Sequence, residues 1–247
     1  MAVTVLGSAA EVLVATGHDP FARGTLRRDL VSGWLGEGAV AWLGTDAEER
    51  VSYLSALGAP LAVAQLVGDL APELRTKQRV TLPRGTAALL PAWVELQGTD
   101  WDFRWTDVAP AVRPGEERVV EVTDVDLLAD FLAVANPAAS VDPRAGDARR
   151  WVGVHGPSGL LACAADTSGA TGVGHLSGIA VAPSARGQGL GAAVTARLTR
   201  ELFDEGCDVV TLGMYADNTA GRALYSSLGF RDEHPFTSGP LTVRSRW

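Results

Sequence analysis

The chain has 247 residues, 47% of them hydrophobic and 20% charged, and a formal net charge of −8. That length and apolar content supply a packed core in one large or two small domains, and they exclude a disordered chain. The acidic balance argues against a nucleic-acid partner, which needs clustered positive charge to displace counterions. Lys77 is the only lysine, so every other fixed cation is an arginine.

Cys163 and Cys207 sit in apolar stretches, neither near a second Cys or a His at metal-ligand spacing. They are expected to be small buried hydrophobes in a reducing compartment, and no metal is expected. Residues 1–15 lack a basic leader region and carry Glu11, and no run reaches the ~20 apolar residues of a membrane span. The sequence predicts a cytoplasmic protein with no membrane partner.

In chain order, residues 60–74 have a helical pattern and residues 79–82 that of a strand. Trp101, Phe103 and Trp105 alternate with Asp100, Asp102 and Arg104, which predicts a half-buried strand with its charges outward. Residues 108–118, VAPAVRPGEER, have the two prolines and unpatterned charge of a linker. The expected domains are therefore 1–107 and 119–247.

The second segment alternates strand and helix. A short strand over 119–122 precedes a helix capped by Asp124, and residues 151–154 and 160–164 bracket a Gly-Pro-Ser-Gly turn. A long strand is expected over 172–182. A helix over 189–205 carries Leu190, Val194, Leu198 and Leu202 on one stripe and stops at Gly206. Val209–Leu212 is an apolar strand, Asn218 caps a helix to Leu228, and residues 241–247 form a last strand. This order predicts an α/β (α+β) architecture, a mixed sheet with helices on its faces. Val80-Thr81-Leu82 and Val210-Thr211-Leu212 stand in similar surroundings 130 positions apart, an echo that suggests two diverged copies of one half-fold.

The chemistry is concentrated in Ile179–Gly191, IAVAPSARGQGLG. A strand ends at Pro183 and Arg186-Gly187-Gln188-Gly189-Leu190-Gly191 opens a helix. Glycines there bare the first-turn amides for a polyanion, helped by the positive end of the helix dipole. A nucleotide P-loop would need a Lys-Ser/Thr pair, which is missing. A dinucleotide fingerprint fits Gly187, Gly189 and Ala192 loosely, but five residues separate Val181 from Gly187. A glycine cluster that only packs helix on sheet is the bland alternative.

The run VAPSARGQGLG, followed by MYADN and by NTAGRALYSSLGF, resembles the GNAT (Gcn5-related N-acetyltransferase) superfamily over about residues 117–247. The resemblance implies a mixed twisted sheet flanked by helices, with residues 1–107 similar to the smaller, diverged N-terminal α/β domain of tandem members. It implies acetyl-CoA as co-substrate, held by Ile179, Ala180 and Val181 at the acetyl and pantetheine portion and by Arg186, Gly187, Gln188, Gly189, Leu190 and Gly191 at the pyrophosphate. Asn218 would meet the pantetheine arm, and Tyr225 the thioester sulfur. The implied reaction is direct acetyl transfer to a primary amine in a ternary complex. Tyr225, protonated at neutral pH, would donate a proton to the departing thiolate. A lysine-like ammonium costs about 4.6 kcal/mol to deprotonate at pH 7. Some family members place a His or Glu base on the strand before the loop. His175 stands there, on the face of Ser177, Ile179 and Val181 by alternation, and is the candidate base. The acceptor is expected to be a small-molecule, peptide or protein amine, and the chain a monomer or homodimer. Two further readings stay open: a non-catalytic acyl-CoA sensor, and a mycothiol-synthase-like tandem acyltransferase with a cysteinyl-sugar amine as acceptor. The first segment has no Gly-rich loop of its own and is expected to bind no coenzyme A.

Overall fold

The structure is a computed structural model that describes residues 3–26, 29–46, 51–71, 74, 78–169 and 172–244. In chain order the elements are β1 (Thr4–Leu6), α1 (Ala9–Ala15), α2 (Pro20–Thr25), β2 (Asp29–Gly36), β3 (Ala39–Asp46), β4 (Val51–Gly58), α3 (Pro60–Leu70), β5 (Gln78–Pro83), β6 (Val94–Leu96) and β7 (Thr99–Thr106). They continue as β8 (Val120–Glu121), α4 (Val125–Ala135), β9 (Arg150–Gly156), β10 (Gly159–Asp166), β11 (Val173–Val181), α5 (Leu190–Asp204), β12 (Val209–Tyr215), α6 (Thr219–Ser227) and β13 (Arg231–Val243). The chain divides into two compact units, one of Met1–Phe103, Tyr215–Asp217 and Glu233–Trp247, the other of Arg104–Met214 and Asn218–Asp232.

In the first unit β1 to β4 form an antiparallel meander. α3 then carries the chain over to β5, which runs parallel to β4 from Ser52↔Gln78 to Ser55↔Thr81. β13 pairs antiparallel with the other edge of β5. α3 buries Val63, Leu66, Val67 and Leu70 against Leu54, Val80 and Leu82, the helical stripe meeting the sheet's apolar face. It starts from Ala59, which makes no side-chain cap, and has Pro60 in its first turn.

The second unit repeats this plan. β8 to β11 are antiparallel neighbours in sequence order, and α5 crosses to β12, parallel to β11 from Val173↔Val209 to Leu176↔Leu212. The stripe Leu190, Val194, Leu198 and Leu202 is buried on α5 and packs with Leu176, Val210, Leu212 and Tyr225 in one core cluster. The opposite face is covered by α4, whose Leu128 and Leu132 pack with Trp151, Cys163, Ala165 and Ala180. Asp124 starts α4 by accepting from the Leu127 amide at 3.0 Å. Both units are thus mixed sheets with helices on their faces, an α/β fold in which the strand order meander, helix, parallel strand occurs twice. Residues 104–118 lie in the second unit. There Glu116 is buried, accepts from the Arg113 amide and is held by both terminal nitrogens of Arg200 on α5.

Strand β7 departs from its sequence pattern. Alternation predicts Asp102 and Arg104 toward solvent, yet they are 5% and 1% exposed. Both faces of this strand are covered, and the charges are accepted because each is bonded. Asp102 takes an ion pair from Arg84 at 2.7 Å, and Arg104 donates to backbone and hydroxyl oxygens described below.

Candidate active site

Three parts of the second unit converge: the end of β11, the start of α5 and helix α6. A Cβ placed on Gly191 would lie 3.0 Å from Leu224 of α6 and 3.3 Å from Val181 of β11, so glycine lets all three approach closely. The loop between β11 and α5 passes through a short 3-10 turn at Pro183–Ala185 to Gly187 and Gly189, with φ of 76° and 80°. These left-handed angles favour glycine. No atom lies within 4 Å of where their Cβ atoms would be, so the cradle is open. Gly189 is the N-cap and supplies no side-chain hydrogen bond. The first helical bond of the turn is Ala193 N–H to Gly189 O at 3.0 Å, leaving the amides of Leu190, Gly191 and Ala192 outside the helix ladder. Arg186 and Gln188 are exposed. Arg186 donates to Ala135 O at 3.4 Å, at the C-terminal end of α4, and Gln188 to Ser184 O at 3.4 Å.

The strand feeding this loop is bulged. Its register with β10 runs Ala162↔Val181, Cys163↔Ala180, then Ala165↔Ser177, so Gly178 and Ile179 together oppose Ala164. Gly178 has φ 58°, and a Cβ there would meet the Trp151 ring at 2.7 Å and Val141 at 2.9 Å. Only glycine fits. The parallel register with β12 ends at Leu176↔Leu212, just before the bulge. Ala182 N–H donates to Leu161 O at 2.8 Å on the β10 side, so by alternation the Val181 amide points the other way, into the gap beside β12.

The bulge also corrects the facing expected for His175. Leu176, Ile179 and Val181 all pack on the α5 side, whereas Ala180 packs on the α4 side. His175 and Ser177 therefore lie on the face opposite Ile179 and Val181, because one extra residue inverts the alternation. His175 is half-buried, with Nδ1 2.8 Å from Thr211 Oγ1. Thr211 donates its own hydroxyl proton to Gly174 O at 2.9 Å. This network assigns Nδ1–H as the donor to Thr211.

Tyr225 and Asn218 come from α6. Asn218 Oδ1 accepts from Gly221 N at 2.8 Å and caps the helix. Tyr225 is 6% exposed and shares its core cluster with Leu190, Ile179 and Val181. Burial pushes its phenol up to about 12, partly opposed by the Arg104 charge, so it carries its proton at neutral pH. Helix α6 ends in a Schellman motif: Phe230 N–H bonds Tyr225 O at 3.0 Å, Gly229 N–H bonds Ser226 O at 3.1 Å, and Gly229 has φ 88°. The accompanying apolar contact is Tyr225 on Phe230, ring centroids 6.1 Å apart.

Sequence reading missed two features here, the bulge at Gly178 and the buried Arg104. A lone glycine inside a strand pattern signals the first; nothing in the sequence signals the second. Among the described residues, no group of three or more His, Cys, Asp or Glu is placed to hold a metal ion. No helix among them is long and apolar enough to cross a membrane.

Known proteins share this plan. The acetyltransferase (GNAT) family profile matches residues 120–230. The chain is 30% identical over 250 aligned positions to a mycothiol acetyltransferase of Tsukamurella paurometabola, spanning 91% of this chain and 75% of the relative. It is 42% identical over 71 residues to a mycothiol acetyltransferase of Paenarthrobacter aurescens, a match to 28% of this chain and only 22% of the relative's length. A GCN5-related N-acetyltransferase from Kribbella flavida superposes with a TM-score of 0.56 at 21% identity, covering 94% of this chain and 95% of that one. The solved structure shares the fold, and the family profile with the Tsukamurella paurometabola relative gives the class, an acyltransferase. The chain belongs to the acetyltransferase (GNAT) family, whose members generally use acetyl-CoA.

Proposed function

We propose that the protein transfers the acetyl group of acetyl-CoA to a primary amine by direct attack in a ternary complex, with residues 119–247 as the acetyltransferase domain and 1–107 as a diverged, GNAT-like partner. The observation that carries this is the open first turn of α5. Three amides outside the helix ladder, two left-handed glycines with free space around them and the positive helix end suit a diphosphate. Gly187 to Gly191 would hold that group, with Arg186 and Gln188 at the rim. Ile179, Ala180 and Val181 would line the pantetheine and acetyl portion, and the amide nitrogen of Asn218, whose oxygen is spent on the cap, would donate to the arm.

Acetyl-CoA, when bound, supplies an activated acyl group on a good leaving thiolate. The chain's own contribution is to bind, orient and move protons. The Val181 amide, which by alternation faces away from β10, would donate to an acyl oxygen that gains charge. Tyr225, buried and protonated, donates from its phenol oxygen to the departing sulfur. Nε2 of His175 is the proposed acceptor of the amine's proton. It lies on the face opposite Ile179 and Val181, so in this reading the proton would reach it through water.

The relatives favour one acceptor class. The two relatives described above are named mycothiol acetyltransferases, one aligned over 91% of this chain, which supports an acceptor of that kind over a protein amine. Calorimetry with acetyl-CoA and thiol release across a panel of amines test the proposal. Expected are 1:1 binding and turnover with at least one amine. Absence of binding refutes the cofactor assignment. Tyr225→Phe should lower kcat by about 100-fold, the low end for a general acid because a thiolate is already a good leaving group, and unchanged turnover removes the acid role.

A further inference from the structure

We propose that Arg104 is a positioning residue for Tyr225, a guanidinium that clamps the last turn of α6 and so fixes where the phenol points. The inference rests on the reading of Tyr225 as proton donor. Arg104 comes from the end of β7 and is 1% exposed. Its Nη1 donates to Arg222 O at 3.0 Å; its Nη2 donates to Ser226 Oγ at 2.9 Å and to Phe230 O at 3.1 Å. Residues 222, 225 and 226 share one helix face, three and four positions apart. The fork therefore brackets Tyr225 from before, beside and beyond it. Phe230 is the residue whose amide closes the Schellman motif on Tyr225 O and whose ring packs on the Tyr225 ring. One planar group thus ties together the helix face, its C-terminal turn and the ring contact, a geometry that lysine, with one nitrogen, does not reproduce.

A core position for an arginine is costly, and packing alone would be served by an apolar side chain. Its placement beside a buried tyrosine has an electrostatic consequence too. Burial raises the Tyr225 phenol, and the Arg104 charge pulls it down, which makes proton donation to a thiolate easier than in an apolar site.

The test uses the full chain labelled with 13Cζ-tyrosine. Tyr53, Tyr215 and Tyr225 are its only tyrosines, and Tyr225→Phe assigns the third signal. In the wild type, added coenzyme A is expected to shift the Tyr225 resonance. In Arg104→Gln that resonance should move in the free protein and lose most of its response to coenzyme A, with Tyr53 and Tyr215 unmoved. Ser226→Ala, which removes the hydroxyl acceptor of Nη2, should do the same to a smaller extent, and it decides the matter if Arg104→Gln fails to fold. In kinetics, Arg104→Gln should lower kcat about 10-fold with KM for acetyl-CoA within about 2-fold, but cost less than about 2-fold in a Tyr225→Phe background. A wild-type Tyr225 signal indifferent to coenzyme A overturns the acid role, and this inference with it. A responsive wild-type signal that neither variant changes, or additive kcat losses, overturns the Arg104 proposal alone.

Discussion

Replacing Gly178 by alanine tests whether the bulge in β11 is as sharply determined as its geometry says. Two costs add. The backbone sits at φ 58°, where a side chain costs about 1–2 kcal/mol. The new methyl would stand 2.7 Å from the Trp151 ring and 2.9 Å from Val141, both in a closed cluster, and overpacking of that kind costs about 1–3 kcal/mol. The sum is on the order of 3 kcal/mol, which in a chain of this size lowers Tm by roughly 6–12 °C. Gly187→Ala is the matched control. Its φ of 76° carries a similar strain with no atom within 4 Å, so it should lose only about 1–2 kcal/mol. Trp151→Leu makes room at Gly178, so the double variant should be at least about 1 kcal/mol more stable than the sum of the singles. Calorimetric melts of the wild type and the four variants decide it. Gly178→Ala melting no lower than Gly187→Ala, or strict additivity with Trp151→Leu, refutes the reasoning.

Three more outcomes follow from the same kind of argument. Burial holds Tyr225 at about 12 and Cys163, ordinarily 9.0, also at about 12. The fold therefore keeps these protons more tightly than the unfolded chain, and stability present below about pH 9 declines as pH climbs toward 12, by roughly 3–4 kcal/mol per group in full. Urea midpoints from pH 8 to 11 should show the decline, and Tyr225→Phe and Cys163→Ala should each flatten it. Glu116→Ala leaves the partly buried Arg200 without the carboxylate that engages both its terminal nitrogens, at a cost of about 2–3 kcal/mol measured by urea unfolding. Gly189→Val should fold with a loss of about 1–2 kcal/mol from backbone strain yet bind acetyl-CoA at least about 10-fold more weakly by calorimetry. Unchanged affinity would remove the loop from the site.

Much of the second unit was legible because its signals are local. The Asn218 and Asp124 caps and the stop at Gly206 are each written within one turn, the Leu190–Leu202 stripe repeats every four residues along one helix, and the structure shows them in place. The glycine loop was legible for the same reason. What failed depended on neighbours distant in sequence. The alternation that put His175 with Ile179 was broken by one inserted residue whose register only β10 defines. The alternation that put Arg104 outside assumed that β7 has a wet face, and its acceptors lie 118 to 126 residues away. Asp102 was misjudged likewise, its Arg84 partner being 18 residues off. Period-two patterns report burial on one face only, and a strand covered on both carries no such record.

The two parallel crossovers differ in a way that bears on design. Between β11 and α5 eight residues, 182–189, form the loop, whereas between β4 and α3 there is only Ala59. Pro60 removes one amide at the start of α3, and a Cβ on Gly58 would sit 2.3 Å from Gly38 O, so the short connection is also pressed against its neighbour. Building a second ligand cradle into the N-terminal half would thus demand a grafted segment of about seven residues; no set of point substitutions supplies the missing length.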